Sequence, residues 1–574
     1  MDKLKKQINS SVFYTFFLNI AILLISVLLF HPQFEENDDA FLAMIAEGAY
    51  GTRDFHLIYS NVCLGKVLTA CYAAFPSIRW HSVFQYFFLF LAFCLITYLL
   101  CRRRNGKMLS ALFLLCVFYE SYVLLQYTKT AVIATAAGYI LLFEVIRRKH
   151  QTGKAPVGFL LSADLLLVYG ALLRSSAFFL ASAVMLCAGL YELYLAYRAE
   201  KIRGLFTMIF SYIKIYVPVL CLILLLFLVD NRAYTKDMQW NSFMTYNDTR
   251  MDLLDYRYDL LDYGAHAKQL EEQGISENDA LLYLTWQFAD DRSCSTDFMR
   301  SVLDGAGKRQ LDITMLKAFA SHLFEELYAL GTLIPGLLCI IVVILLSVRV
   351  YDKEKKRGFW CFLLCSLCMT AVILLYYQYS GRWNHRVVYG LFLALLMALI
   401  YEGTSGESAP ENETSVTDMQ GMLLVLLLFF QMGLFLKNQF DYQDYLRSAP
   451  DYRAQTACMQ ENKDTLFVLD TFTFQQAYRY EVFRAYPCGA LDNAVSAGSW
   501  FSNSPITKTI TEKYGYTNPF DALEKGAGDV ILVDNCYPAQ KAMYLSEHTE
   551  RTYEAEFLET RNGFDSYRMK EKTE

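Results

Sequence analysis

Apolar residues in this chain come in blocks of about 20, the length at which a helix crosses ~30 Å of hydrocarbon, and polar stretches separate the blocks. Read in order, they predict eleven spans, near 11–30, 82–101, 108–125, 129–146, 156–173, 176–196, 207–229, 328–349, 359–379, 386–402 and 421–437. The block 57–75 is shorter and holds Asn61 and Lys66, so it is expected to lie against the bundle or re-enter it rather than cross. Three polar pieces are large: 31–81, 231–326 and 438–574. In the last, the strand-like runs Thr465–Leu469 and Asp529–Val533, a helix over Ala539–Leu545 and strands near Tyr553–Leu558 and Asp565–Met569 predict a small α/β fold. The expected organisation is therefore a polytopic α-helical membrane domain, 1–437, followed by an α/β domain, 438–574.

Composition agrees with that pattern. Of 574 residues 55% are hydrophobic and only 19% charged, against roughly 25% charge in a soluble domain, which excludes a soluble enzyme. Position then gives orientation. Lys3, Lys5 and Lys6 precede the first span, and counting from a cytoplasmic N-terminus puts Arg102–Arg104, Arg147–Lys149, Arg198–Arg203 and Lys353–Arg357 on the same side, as the positive-inside rule requires. The loop 403–419 has no Lys or Arg and bears on neither side. The chain is thus expected to be a multi-pass cell-membrane protein with an uncleaved first span and an extracytoplasmic C-terminal domain. The net charge of −6, with basic residues in short clusters, indicates no nucleic-acid partner. Most of the fifteen cysteines lie inside apolar runs as packing residues; Cys361, Cys365 and Cys368 share a helical face but have no ionisable company that would make a metal site.

The candidate chemistry lies on the outer side. The first outer loop opens Glu35-Glu36-Asn37-Asp38-Asp39 and runs into Ala40–Glu47 before Gly48. Asn37 or Asp38 suits a helix cap and Gly48 a helix stop, while a carboxylate held at the membrane face also suits a general base. The turn after the ninth span reads Gly381-Arg382-Trp383-Asn384-His385-Arg386. Two arginines and a histidine there run against the positive-inside trend and call for a local anion. That anion is either a phosphate, which Arg binds bidentately, or a loop carboxylate such as Asp38. Arg174 and Lys129 are further outward cations at the same depth, each a helix-end anchor or part of a cationic pocket. The loop 231–326 is rich in Asp and Tyr, a composition that serves sugar hydroxyls or any solvated helix pair; Ser276 and Asp279 have capping-box spacing. Phosphate-loop, dinucleotide and zinc-protease motifs are absent.

An acidic pair after the first span (Asp38-Asp39), followed by Met44, Gly48 and Tyr50-Gly51, with many spans and an α/β tail, resembles the GT-C class of integral-membrane glycosyltransferases of Gram-positive bacteria. The resemblance implies that Asp38 is the general base, supported by Asp39, and that the donor is a sugar on a polyprenyl phosphate. It further implies an inverting transfer to a cell-envelope glycan or lipid acceptor. The turn Gly381–Val387 matches the class's Gly-Arg-x-x-x-Arg-Val turn, so Arg382 and Arg386, with His385, Arg174 and Lys129, would bind the phosphate. No cofactor is assigned, because the second, well-separated D-x-D motif of metal-dependent members is missing. Two other classes stay open: an O-antigen-type polysaccharide polymerase or ligase, which needs no acidic first loop, and a transporter or flippase, for which Asp164 is the one charge set inside a span. The glycosyltransferase reading requires Asp38 and Arg382/Arg386 to share one cavity, within about 15 Å, because base and leaving-group stabiliser must flank one reacting carbon.

Overall fold

The computed structural model describes residues 2–103, 106–307, 309, 311–328, 353–404, 414–474, 477–526 and 528–572. Among them, eight helices are long and apolar enough to cross a membrane: Ser10–Leu28, Trp80–Cys101, Gly106–Val123, Tyr127–Thr152, Ser175–Lys236, Lys355–Ser380, His385–Gly403 and Gly421–Glu461. Val157–Leu173 is a shorter apolar helix, and the expected span 328–349 lies, apart from Tyr328, outside the described residues. The 62-residue helix Ser175–Lys236 takes the place of two expected spans. Glu200 (φ −129°, ψ 17°) and Lys201 (φ 57°, ψ −141°) leave helical geometry and divide it into two arms within the basic stretch 198–203. The segment 57–75 forms the helix Val62–Ala74, whose 13 residues rise only about 20 Å, too little to cross.

Tyr127–Thr152 is the hub of the bundle, buried from Tyr127 to Ile146 except at Tyr139. Its run of Thr130, Ala131, Ala134, Thr135, Ala136, Ala137 and Gly138 lets neighbouring backbones approach closely, which is how helices associate where lipid offers no hydrophobic gain. A Cβ at Gly170 would meet Thr135 Oγ1 at 2.3 Å, so this contact depends on glycine. At one end of the bundle the basic residues meet carboxylates: Arg148 Nε lies 2.6 Å from Glu144 Oε1, and Arg147 Nη2 lies 3.3 Å from Glu402 Oε2 and pairs with Glu192. The opposite end carries the long polar pieces.

There, strand β1 (Gln33–Phe34) pairs in parallel with β2 (Leu124–Leu125), tying the first loop to the start of the hub helix. The helix Asp38–Glu47 follows, with all ten residues buried. Gly48, at φ 82°, ends it as expected, but Asn37 makes no side-chain cap, so neither it nor Asp38 serves the capping role that the sequence suggests. The loop after the broken helix folds around its own core, with the Ser276–Asp279 capping box formed.

The last long helix, Thr414–Ser448, runs past the expected end at 437 and leads into an α/β unit. Its sheet has the order β4-β3-β5-β7-β6, from β3 (Leu466–Leu469), β4 (Ala494–Ser496), β5 (Val530–Val533), β6 (Tyr553–Arg561) and β7 (Phe564–Glu571). β4, β3 and β5 are parallel; β7 and β6 add antiparallel. The three-residue β4 was not predicted, having too little length for a periodic signal. The unit docks on the first loop. Buried Arg79 Nε donates to Glu47 Oε1 at 2.8 Å, Tyr486 N donates to Glu47 Oε2 at 2.9 Å, and Gly489 N and Leu491 N donate to Gly48 O (2.8 Å) and Ala49 O (2.7 Å).

Candidate functional site

Where the span ends, the long polar loops and the α/β unit meet, they line a half-open cavity of about 820 Å³. Each wall follows from a local feature. Glu36 and Asp38 come from the first loop, Arg174 from the non-helical joint between Val157–Leu173 and Ser175–Lys236, and Arg382 and Arg386 from the turn Gly381–Asn384 and the helix it opens. Gly381 allows that turn with φ 84°. Asp255 and Trp286 come from the polar stretch that follows the broken helix, and Ser499 and Trp500 from the loop after β4.

Asp38 is fixed from two sides. Trp500 Nε1 donates to its Oδ1 at 3.1 Å, and Arg386 Nη2 lies 3.4 Å from its Oδ2 while Nη1 pairs with Glu36. Arg382 Nη1 lies 3.1 Å from Asp255 Oδ2; Asp255 Oδ1 is 3.4 Å from Nη1 of the fully buried Arg250. Arg174 differs from both. Its Nη1 donates to Tyr127 OH at 2.8 Å, its Nε to Ser176 Oγ at 3.1 Å, and its guanidinium stacks 4.7 Å from the Tyr59 ring, with no carboxylate in salt-bridge reach among the described residues. Of the three arginines it is the one whose charge is left for a ligand. Burial, with Asp38 and Glu35 beside it and Arg386 opposing, holds the Glu36 carboxyl above its ordinary range. Burial likewise raises the Tyr59 phenol, which stays a neutral hydroxyl.

The remaining expected site residues lie outside the cavity lining. Asp39 is fully buried one helix position on and accepts from His81 Nε2 (3.0 Å), Gln85 Nε2 (2.8 Å) and Tyr127 N (3.2 Å), which anchors the first-loop helix to two spans. Lys129 Nζ lies 2.8 Å from both Glu35 Oε2 and Glu120 Oε2. His385 Nδ1 lies 2.7 Å from Glu326 Oε2, with Nε2 3.7 Å from Glu120. Lys129 and His385 are thereby paired with carboxylates behind the turn.

Two clusters among the described residues have metal-ligand spacing, Glu35/Glu120/His385 and Asp470/Asp534/Cys536. In each a lysine ammonium already sits between the carboxylates: Lys129 in the first, and in the second Lys541, 2.7 Å from both Asp470 Oδ1 and Asp534 Oδ2. In both sites an internal ammonium takes the place between the carboxylates that a divalent ion would need, so the residues present do not fit a resident divalent ion.

No family model matches the chain, and no curated protein matches it. Among solved structures, the crystal structure of ArnT from Cupriavidus metallidurans bound to undecaprenyl phosphate aligns over 96% of each chain, at 11% identity and a TM-score of 0.37.

The sequence reading missed Trp500, Glu36 and the Asp255–Arg250 pair as parts of the site. Trp500 stands 462 positions from Asp38 and carries no local sign of its partner. Asp255 was visible only as one acid in an Asp/Tyr-rich loop.

Proposed function

We propose that this chain is a GT-C-like membrane glycosyltransferase that moves a sugar from a polyprenyl-phosphate donor to a glycan or lipid acceptor at the outer face of the cell membrane. The observation that carries the reading is that Asp38, Arg174, Arg382 and Arg386 line one cavity at the ends of the spans. In this reading the N-terminus is cytoplasmic, the membrane domain 1–437 supplies base and arginines, and the extracytoplasmic domain 438–574 closes the cavity through Trp500.

Asp38 takes the proton of an acceptor hydroxyl as that oxygen bonds to the anomeric carbon. The bond from that carbon to the phosphate oxygen breaks on the opposite face, so configuration inverts. Trp500 and Arg386 hold the carboxylate in place, and each carboxylate oxygen keeps a lone pair for the incoming hydroxyl. The leaving phosphate gains negative charge, and Arg174, free of any carboxylate partner among the described residues, meets it with Arg382 beside it. Asp39 is a positioning residue, and Lys129 and His385 brace the turn from behind rather than touch phosphate.

Asp38→Asn is expected to abolish transfer of radiolabelled sugar from a polyprenyl-phosphate donor in proteoliposomes, with insertion and expression intact. A fully active variant would sink the assignment. It would favour a polymerase- or ligase-type enzyme, which uses outer arginines without a first-loop base.

A further inference from the structure

The α/β unit meets the bundle at a second place, outside the cavity lining. Its loop 479–486, between the helix Thr471–Phe474 and β4, is tied to the start of the chain at three points. Phe34 N donates to Arg479 O at 2.8 Å, buried Arg79 donates to Glu481 O, and Ile78 pairs with Arg484 in an isolated antiparallel bridge. From within the unit, Arg453 Nε donates to Glu481 Oε1 at 2.6 Å. Contacts on both sides therefore set where Phe483 and Arg484 sit.

Phe483 lies at the depth of hydrocarbon. Its ring stacks on Tyr86 with 5.2 Å between centroids, and Tyr86 is itself held by donating its hydroxyl to Tyr122 O at 2.6 Å. Tyr86 belongs to the span Trp80–Cys101, whose basic end is marked by Arg102. A slab of ~30 Å takes about 20 residues of helix, which counted from Arg102 reaches Ser82, and Tyr86 is about 6 Å further in. Phe483 is 45% exposed there, and Phe87, next along the span, is 54% exposed, so this flank of the bundle is open. An apolar ring exposed at that depth meets acyl chains rather than water. The residues around it suit the headgroup level. Arg484 is exposed and has no carboxylate in salt-bridge reach among the described residues, its neighbour Glu481 being taken by Arg453. Phe75 and Ile78, in the turn that leads into the span, are exposed as well. A guanidinium that can rise to a phosphate while its apolar neighbours enter the chains is how side chains anchor at a lipid interface.

We infer that the α/β unit is seated on the bilayer through this loop, with Phe483 among the acyl chains and Arg484 on the phosphate of a phospholipid headgroup. The seat holds from the lipid side the unit that carries Trp500. It is independent of the sugar-transfer reading, since it concerns where the unit rests and not what the cavity does. The full-length protein, with the photo-crosslinker p-benzoylphenylalanine in place of Phe483, Ile78 or Phe557 in turn, would be placed in nanodiscs of phosphatidylglycerol and phosphatidylcholine, irradiated, and read by mass spectrometry for phospholipid adducts. Phe557 is the control, because it is equally exposed on β6, the edge of the sheet opposite the β4 edge that the loop precedes. Positions 483 and 78 should both give adducts well above position 557. In the protein labelled at 483, Arg484→Glu should cut the yield about fivefold and Arg484→Lys should keep it, the size expected for one basic side chain at a lipid surface, with thermal unfolding as the check on folding. Yields at 483 and 78 no higher than at 557 would overturn the seat, and a folded Arg484→Glu protein with an unchanged yield would overturn the phosphate contact.

Discussion

Replacing Trp500 by Phe removes one atom group from the site, the indole N–H that donates to Asp38 Oδ1 at 3.1 Å. The ring that replaces it still packs among Tyr59, Phe501 and Phe41, whose centroids lie 5.0, 5.2 and 6.2 Å from Trp500. Arg386 still reaches Oδ2 at 3.4 Å, so Asp38 loses one of two restraints and is free to swing about its remaining contact with Arg386. A hydrogen bond to a charged group contributes about 1.5–3 kcal/mol. If that bond holds the carboxylate in its reactive orientation, its loss lowers kcat by about 10- to 150-fold, at 1.36 kcal/mol for each factor of ten. The Trp500 indole N–H bonds Asp38 and not the arginine that meets phosphate, so KM for the donor should stay within about twofold. The assay is initial-rate sugar transfer in proteoliposomes at varied donor concentration, with thermal unfolding run in parallel as a check on folding. A folded Trp500→Phe protein with wild-type kcat, or one whose donor KM rises while kcat holds, would refute the positioning role.

Arg174→Ala should raise donor KM by about 10- to 100-fold, from the loss of about 1.5–3 kcal/mol of charge-assisted bonding, while Arg174→Lys recovers part of it; an unchanged KM in the same assay would place the phosphate elsewhere. Glu47→Ala leaves Arg79 as a buried charge without its carboxylate and should cost about 3–5 kcal/mol, read as a lower unfolding temperature and earlier proteolytic release of the C-terminal unit. His548 Nε2 lies 2.9 Å from Asp279 Oδ1, and this bond raises the imidazole above its ordinary value of 6.5. A raised folded-state value means the native protein holds the proton longer than the unfolded chain. Its stabilisation is therefore complete below about pH 6.5 and is lost as pH rises through the folded value. His548→Ala should flatten the pH dependence of thermal unfolding above pH 6.5, and an unaltered profile would remove the pair from consideration.

Much of the membrane part was legible because its signal is one-dimensional. A hydrocarbon slab of fixed thickness imposes a fixed run length, and the basic clusters at 102–104, 147–149 and 198–203 mark the ends of runs without reference to any other part of the chain. The break at Glu200–Lys201 falls in such a cluster, and Gly48 and the Ser276–Asp279 box acted through neighbours a few positions away. Asn37 shows the limit of local rules: its residue type suits a cap, but packing holds its backbone at φ −71°, ψ −18°, and no side-chain cap forms.

The charges expected to face outward were likewise visible in the sequence as exceptions, yet their partners were not. Arg174, Arg386, Lys129 and His385 look alike in sequence, as cations at helix ends. Only packing separates Arg174, which faces the cavity without a carboxylate among the described residues, from Lys129, which Glu35 and Glu120 neutralise. It also brings Trp500 to Asp38 across 462 positions. The sequence by itself determined which segments enter lipid and which residues are too costly there to be idle. Tertiary structure decided which charges cancel and which remain, because Coulomb and hydrogen-bond energies depend on distances between helix ends that no local pattern encodes.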